Sequence, residues 1–214
     1  MDTMIVELSF EDLDEILEDE NLSFPPYLRA SRELIEQRLR LGHIMLGARL
    51  DGELVGKICF SYSRFYPSDP KAFSRNFGEF STMPMETSHD CAFVYNLNVQ
   101  DKYRNARTAV LLAQAMLGRI KSDGCILGIA DGRPASYNGS PREGIRQRPA
   151  FKEAIDRHLA GGPFPTDREL CLDPLLAFYY RLGGKFLWIA PDFIPEDAAT
   201  GGLRVIMMKE VEGT

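Results

Sequence analysis

The sequence is poor in the residues that mark disulfide scaffolds and metal sites. Its three histidines are isolated from one another and show no H-E-x-x-H or comparable spacing, so no metal site is predicted. Its few cysteines are far apart and form no C-x-x-C pair, which predicts buried free thiols in a cytosolic protein. These cysteines are Cys59, Cys91, Cys125 and Cys171.

Long apolar runs and an excess of basic charge are also missing. The longest apolar runs, such as Ala109–Ala113, are far shorter than the ~20 residues of a membrane-spanning helix. The first residues, MDTMIVELSFED, lack the basic start and apolar core of a signal peptide. The net charge of −6 disfavours a general nucleic-acid binder, because such proteins use basic surfaces to neutralise phosphates. The sequence therefore predicts a cytoplasmic protein with no membrane or nucleic-acid partner.

The length and composition are those of a globular domain. With 214 residues, 44% of them hydrophobic, the chain can bury a full core and is predicted to form a single domain over residues 1–214. Two stretches without sustained periodicity, about 63–90 and 131–172, are predicted to be insertions, which are often functional. Residues 132–148 carry four arginines against one glutamate. That excess of basic charge suits an anionic ligand, although a solvated loop is at least as good an explanation.

Periodicity, caps and turn residues predict the order β, α, α, β, β, β, α, β, α, β, β. A hairpin with strands at about 43–50 and 53–62 is predicted, because Asp51-Gly52 supplies the positive φ angles of a tight turn. A helix is predicted to begin at Asp173-Pro174, with the aspartate as N-cap. A meander followed by one strand–helix–strand crossover favours a mixed α/β sheet over a doubly wound Rossmann fold. The remaining predictions are strands at Met4–Leu8, Cys125–Ala130, Lys185–Ala190 and Leu203–Lys209, and helices after Ser9, after Ser31 and over Pro149–Leu159.

Residues 91–124 are predicted to form a strand, a basic turn and a helix. Leu97 and Val99 continue the alternation of a strand that starts in β-forming residues. Apolar residues at i, i+3, i+4, i+7 and i+11 from Ala109 indicate a helix, which Gly124 is expected to end. The turn between them reads QDKYRNAR. Because the first N–H groups of a helix have no intrahelical acceptor, this arrangement predicts an anion site.

This order of elements resembles that of the GNAT superfamily of N-acyltransferases. The signature of that family is a strand of the type L-x-V followed by P-x-[YF]-R-[GN]-x-G-[ILV]-[GA] and a helix. Residues 97–109 of the chain read LNVQDKYRNARTA, in which Arg107 replaces the central glycine. The resemblance implies an α/β (α+β mixed sheet) structure, namely a GNAT-like acyl-CoA N-acyltransferase fold with two long insertions. The matching residues are Leu97, Val99, Tyr103, Arg104 and Ala109.

The resemblance also implies acetyl-CoA or another acyl-CoA as co-substrate. Backbone groups near Leu97 and Val99 are expected to pair with the pantetheine amides, as a strand added to a sheet edge. The N–H groups of the turn and of the first helical residues are expected to hold the pyrophosphate. For Leu97 and Val99 the structural alternative is core packing. For the turn and the first helical residues it is a solvated helix start. The residues of the turn and helix start are Arg104, Asn105, Ala106, Arg107, Thr108 and Ala109.

A second match to the family concerns catalysis. Tyr179 lies four residues before Gly183, the spacing of the family tyrosine that is expected to protonate the departing thiolate. A phenol with a pKa of ~10 stays protonated at neutral pH and can donate. Tyr180 is the competing candidate, and core packing is the alternative for both. The general base is left open, with a water relay as one option. The side chains considered for it are Tyr95, Asn96, Asn98 and Asp131.

The expected function is an N-acyltransferase, in the first place an N-acetyltransferase, in which an amine attacks the acyl-CoA directly without a covalent enzyme intermediate. The expected partners are acyl-CoA and a small-molecule or peptide amine, and a homodimer is left open. The arginine at position 107 favours one alternative, a non-catalytic interaction protein with the same fold and weakened or absent CoA binding. Another alternative is an acyl-amino-acid or acyl-lactone synthase that takes its acyl group from an acyl-carrier protein.

A narrower resemblance covers the last third of the chain. The segments GRPASY and DPLLAFYYRLGG are similar to those of GNAT domains joined to nitrilase-like carbon-nitrogen hydrolases. This resemblance is specific in sequence but says little about the acyl acceptor.

Overall fold

The computed structural model describes residues 3–64, 81–104, 106–141 and 144–211. The described residues form two compact units, the first holding the chain up to Ile129 together with the last two described residues, and the second holding residues 130–141 and 144–209. The single domain over 1–214 stays a prediction, and most of the predicted insertion at 63–90 lies outside the described residues.

Four strands of the first unit form an antiparallel meander. The predicted hairpin is confirmed, since Asp51 and Gly52 have φ angles of +51° and +89° and the flanking strands pair from Ile44↔Phe60 to Leu50↔Glu53. The last strand of the meander pairs along its length with the one before it, from Gly56↔Val99 to Ser63↔Cys91. The strands are β1, Met4–Glu7; β2, Ile44–Leu50; β3, Glu53–Ser63; and β4, Cys91–Val99.

The first two helices of the first unit begin at the predicted caps, and the third begins at Ala106, three residues before the predicted start. Ser9 and Asp12 form a capping box around a short 3₁₀ turn that leads into the first helix. The hydroxyl of Ser31 accepts a hydrogen bond from the N–H of Leu34 and caps the second. The third helix ends before Gly124, which has φ +87°. The helices are α1, Leu13–Ser23; α2, Arg32–Arg40; and α3, Ala106–Ser122.

The second unit contains most of the remaining elements of the described chain, and the last residue of its last strand, Glu210, belongs to the first unit. Strand β5 starts two residues later than predicted, because the N–H of Cys125 still bonds to Ile120 of α3 and closes that helix. One four-residue helix was not predicted; Thr166 and Glu169 form its capping box, and it is too short to show periodicity. The elements are β5, Leu127–Gly132, whose first three residues belong to the first unit; α4, Pro149–Leu159; α5, Asp167–Leu170; α6, Pro174–Arg181; β6, Lys185–Ala190; and β7, Arg204–Glu210.

The seven strands of the described residues form one sheet in the order β1-β2-β3-β4-β5-β7-β6, so the predicted mixed α/β class is confirmed. In the second unit, α4 and α6 pack on strands β6 and β7 through a cluster that includes Phe151, Leu176 and Val205. Burial of such side chains is the main stabilising contribution to a fold of this kind. Among the helices that the structure describes, none is long and apolar enough to cross a membrane.

Candidate functional site

The predicted strand, basic turn and helix are present in the first unit. Strand β4 is followed by a single 3₁₀ turn over Asp101–Tyr103, and α3 begins at Ala106. The two signature residues Leu97 and Val99 are part-buried and pair with β3 opposite Ile58 and Gly56. Gly56 has to be glycine, since a Cβ there would lie 2.5 Å from the carbonyl oxygen of Asn98. Close contact between β3 and β4 thus fixes the strand that precedes the turn.

The turn presents basic side chains to solvent. Arg104 forms an ion pair of 2.7 Å with Asp101, and Lys102 forms one of 3.3 Å with Glu53, with all four side chains largely exposed. Such exposed pairs contribute little stability and can exchange partners. Arg107 is exposed in the first turn of α3, which contains no acidic residue. The turn can therefore offer positive charge to an anion.

The start of α3 also offers backbone donors. In a 17-residue helix the first N–H groups have no intrahelical acceptor and carry the positive end of the helix dipole. Arg107, Thr108 and Ala109 belong to that first turn; Thr108 is buried and Arg107 is exposed. Asn105 lies outside the described residues.

A network of buried charges lies behind β4 in the first unit. The ammonium group of Lys57 on β3 is 2.6 Å from Asp19 and 2.9 Å from Glu20, both on α1. Asn98 of β4 donates to Asp19 at 2.8 Å, and Gln100 donates to Asp19 at 3.2 Å. Burial alone would lower the pKa of Lys57, but the two carboxylates outweigh it and raise the pKa. The network ties α1 to the end of β4.

This network was hard to predict from the sequence. Lys57 interrupts an otherwise apolar strand, which was the one available signal, whereas Asp19 and Glu20 sit in an acidic stretch that is typical of a solvated helix. Asn96, considered as a base, donates to Glu20 at 3.4 Å, and its buried Oδ1 has no partner among the described residues. Tyr95, also considered, is buried and its hydroxyl bonds to a histidine ring at 2.9 Å.

In the second unit, Tyr179 is part-buried on α6 and packs against the apolar cluster of that unit. Asp173 fixes the start of the helix, since its carboxylate accepts from the N–H groups of Leu175 and Leu176 at 2.9 and 3.1 Å. Burial raises the pKa of Tyr179, and the charge of Asp131 adds to the rise. The competing Tyr180 is 42% exposed and stacks on Phe186.

A buried cluster of two arginines and two aspartates lies in the second unit. Arg133 makes two hydrogen bonds to Asp197, of 2.7 and 2.9 Å, and Arg204 approaches the same carboxylate at 2.9 Å. Asp131 has a weaker partner, because the Nε of Arg204 is 3.8 Å from its Oδ2. Both side chains of that long pair are almost fully buried, with 7% exposure for Asp131 and 4% for Arg204.

This difference in pairing gives the carboxylates of Asp131 and Asp197 pKa values that are shifted in opposite directions. Burial raises the pKa of Asp131 to about 7, and the charge of Arg204 offsets only part of the rise. Burial acts on Asp197 in the same direction, but the hydrogen bonds from Arg133 and the charges of both arginines outweigh it and lower the pKa. One carboxylate of the cluster is therefore fixed as an anion, whereas the other titrates near neutral pH.

Other predicted candidates have structural roles or fall outside the described residues. Burial raises the pKa of the Cys59 thiol to about 12 and that of Cys125 to about 11, as expected for unreactive structural thiols. Arg133 of the arginine-rich stretch is paired with Asp197, and Arg142 is not described. No group of three or more histidine, cysteine, aspartate or glutamate side chains in the described ranges could hold a metal ion.

No family model and no curated protein sequence matches the chain. Among solved structures, the GNAT-like decarboxylase GphF in complex with isobutyryl-CoA matches with a TM-score of 0.75 and 22% identity, over 98% of this chain and 100% of that one. The loading GNATL domain of CurA from Lyngbya majuscula has a TM-score of 0.74 and 18% identity, over 99% and 98% of the two chains. The protein has a GNAT-like fold. The ribosomal-protein-S18-alanine N-acetyltransferase of Escherichia coli shares it with a TM-score of 0.61 and 12% identity, over 100% and 96%.

The GNAT-like fold confirms the architecture implied by the signature residues. Identities of 12–22% show the fold alone, so the roles of individual residues remain predictions. The residues expected to bind the cofactor lie in the first unit and Tyr179 in the second. The narrower resemblance, to GNAT domains joined to nitrilase-like hydrolases, stays a prediction as well.

Proposed function

We propose that the protein is an acyl-CoA-dependent N-acyltransferase that moves an acyl group, in the first place acetyl, to a primary amine. The observation that supports this most is the exposed basic start of α3 directly after β4. The three basic side chains Lys102, Arg104 and Arg107 and the backbone N–H groups at the positive end of the helix match what a pyrophosphate requires. In this proposal the cofactor phosphates bind at 104–109, and backbone groups near Leu97 and Val99 pair with the pantetheine arm.

The residues at the helix start fit a CoA pyrophosphate. Its first turn contains no acidic side chain that would repel phosphate, and the carboxylates near it already pair with the exposed cations of the turn. Arg107, in place of the family glycine, is exposed and can add a charge-assisted hydrogen bond. Acyl-CoA supplies the activated thioester, and the protein supplies binding, orientation and proton transfer.

Thermal unfolding with free CoA and acetyl-CoA tests the proposal. A ligand at 100 times its Kd stabilises the folded state by about 2.7 kcal/mol, which raises the Tm of a chain of this size by about 5–10 °C. We expect such a shift at millimolar CoA. Arg107→Ala should weaken CoA binding by about 10- to 150-fold, because a hydrogen bond to a charged group contributes about 1.5–3 kcal/mol. Lys121→Ala, which changes an exposed basic residue at the other end of the same helix, should leave binding unchanged.

Two results would contradict the proposal. If the Tm of the wild-type protein does not respond to millimolar CoA or acetyl-CoA, the protein does not use this cofactor. If Arg107→Ala and Lys121→Ala bind CoA equally well, the phosphates do not lie at the start of α3.

Tyr179 is the proposed proton donor to the departing thiolate. Tyr179→Phe removes the hydroxyl and keeps the ring that packs against the apolar cluster. We expect kcat for acetyl transfer to fall by about 10²-fold or more with CoA binding nearly unchanged, since general acids contribute about 10²–10⁴-fold. Loss of stability or CoA binding instead would make Tyr179 a packing residue. Tyr180→Phe, on the exposed side of the same helix, is the matched control.

A second function, decarboxylation of an acyl-CoA, is supported by one observation. The GNAT-like decarboxylase GphF matches with a TM-score of 0.75, against 0.61 for the S18 N-acetyltransferase. Incubation with malonyl-CoA separates the two proposals. Conversion to acetyl-CoA with release of CO₂, in the absence of any amine, supports decarboxylation. Unchanged malonyl-CoA together with amine-dependent release of CoA from acetyl-CoA supports N-acyl transfer.

A further inference from the structure

Asp131 is a buried carboxylate without a close cationic partner. Its neighbour Asp197 takes the short hydrogen bonds of Arg133 and one from Arg204, whereas Asp131 is 3.8 Å from the Nε of Arg204. Arg204 directs further N–H groups to the hydroxyl of Thr200 at 3.1 Å and to a backbone carbonyl at 2.7 Å. The guanidinium of Arg204 is thus bound by Asp197, Thr200 and a backbone carbonyl. It neutralises the Asp131 carboxylate only weakly, so this carboxylate can accept a proton.

The position of Asp131 in β5 follows from the residue beside it. A Cβ at Gly132 would lie 2.7 Å from Leu176 and 2.8 Å from Met207, so α6 packs on the face of β5 to which Gly132 belongs. Because side chains alternate along a strand, Asp131 projects from the opposite face, where it meets Arg204.

Tyr179 lies on the α6 side of the same strand end. It belongs with Leu176 and Met207 to one apolar cluster. The charge of Asp131 nonetheless raises the pKa of Tyr179, so the two groups are within electrostatic range across the end of β5. A general acid and a general base can serve one reaction when each comes within hydrogen-bond reach of the atom on which it acts.

We propose that Asp131 is the general base of acyl transfer and accepts the proton of the attacking primary amine. The inference rests on the proposed N-acyltransferase function and names a catalytic residue for it. The amine nitrogen bonds to the thioester carbon, and one of its protons passes to the Asp131 carboxylate. The C–S bond breaks, and the thiolate takes the phenolic proton of Tyr179. Transfer of a proton from Asp131 to the phenolate through solvent restores both groups, leaving an amide and free CoA.

The surrounding charges suit Asp131 to this role. Arg204 from β7 is its nearest cation, Arg133 after β5 and Asp197 before β7 complete the cluster, and Tyr179 on α6 is within electrostatic range. A general base works best when its pKa lies near the working pH, and burial brings the pKa of Asp131 to about 7. Asp197, with a lowered pKa, would be a poor acceptor.

The test compares Asp131→Asn, Asp131→Glu and the control Glu153→Gln, which alters an exposed carboxylate of the same unit. CoA release from acetyl-CoA is followed from pH 5.5 to 9 with spermidine, glycine and a tripeptide with a free N-terminus as acceptors. We expect kcat/KM of Asp131→Asn to fall by about 10²–10⁴-fold and to lose the rise of the wild-type profile around pH 7. Asp131→Glu should recover part of the rate, Glu153→Gln should behave as wild type, and all variants should keep the CoA-induced Tm shift.

A second measurement needs no acceptor. In protein with ¹³C-labelled aspartate side chains, one carboxyl resonance should titrate with a midpoint near pH 7 and be absent from Asp131→Asn. A midpoint below about 5 would overturn the assignment. A wild-type transfer rate and pH profile in Asp131→Asn would also overturn the assignment of Asp131 as the general base. The proposed N-acyltransferase function would stand in that case. A wild-type protein that neither binds acetyl-CoA nor acylates any of the amines would refute the proposed function and this assignment together.

Discussion

Lys57→Met tests whether the buried charge network holds α1 against β4. The substitution removes the ammonium group that lies 2.6 Å from Asp19 and 2.9 Å from Glu20, and replaces it with an unbranched side chain of similar length. The side chain of Lys57 is 1% exposed and that of Asp19 is fully buried, so water cannot take the place of the lost group. Two carboxylates would remain in the interior without their cation.

The expected cost follows from that burial. Removing one partner of a buried ion pair costs about 3–5 kcal/mol, because the remaining charge is desolvated and unpaired. The hydrogen bonds of Asn98 and Gln100 to Asp19 remain and place the loss at the lower end, about 3 kcal/mol. The stability of a domain is about 5–15 kcal/mol, so the variant should fold with a much lower unfolding midpoint.

Urea unfolding followed by far-UV circular dichroism measures this cost. Fluorescence is less suitable, because the single tryptophan, Trp188, lies in the second unit and the network lies in the first. Lys102→Met is the matched control, since its ion pair with Glu53 has side chains that are 58% and 61% exposed and is screened by solvent, so it should contribute little stability. If Lys57→Met loses no more stability than Lys102→Met, the network does not hold the first unit together and the argument from burial is wrong.

Two further predictions concern the second unit. Gly132→Ala should destabilise the protein by about 1–3 kcal/mol in urea unfolding, because its Cβ would overlap Leu176 and Met207. Gly118→Ala, with open space around it on α3, should be neutral or stabilising by up to about 1 kcal/mol, and equal effects at the two glycines would contradict this. The pKa of Asp131 is raised by burial from about 3.9 in the unfolded chain to about 7 in the folded protein, so its contribution to stability is present at low pH and lost as the pH rises through 7. Relative to wild type, Asp131→Asn should therefore gain stability between pH 4 and 8, by at most about 4 kcal/mol, and a pH-independent difference would show that Asp131 ionises as an ordinary surface aspartate.

Local features were the ones that the sequence predicted well. The turn at Asp51-Gly52 and the cap at Asp173 depend on φ angles and hydrogen bonds within three residues, so the residue types suffice to place them. The order of strands and helices and the signature residues of β4 and α3 pointed to the GNAT-like fold, which the structure confirms. The strand–turn–helix unit of β4 and α3 is local for the same reason, and the anion site at its turn stays a prediction.

The buried charges were decided by the tertiary structure alone. Asp19 and Glu20 read as surface residues until α1 packs on β3 and places them against Lys57, 37 or more positions further along the chain. Asp131 was one of several uncommitted candidates until the fold brought Arg204 to 3.8 Å and excluded water from both side chains. A pKa depends on desolvation and on neighbouring charges, and both are set by residues far apart in sequence. The sequence by itself thus determined the order of elements that makes the GNAT-like scaffold, whereas packing decided which of its carboxylates are buried and how closely each is paired with an arginine.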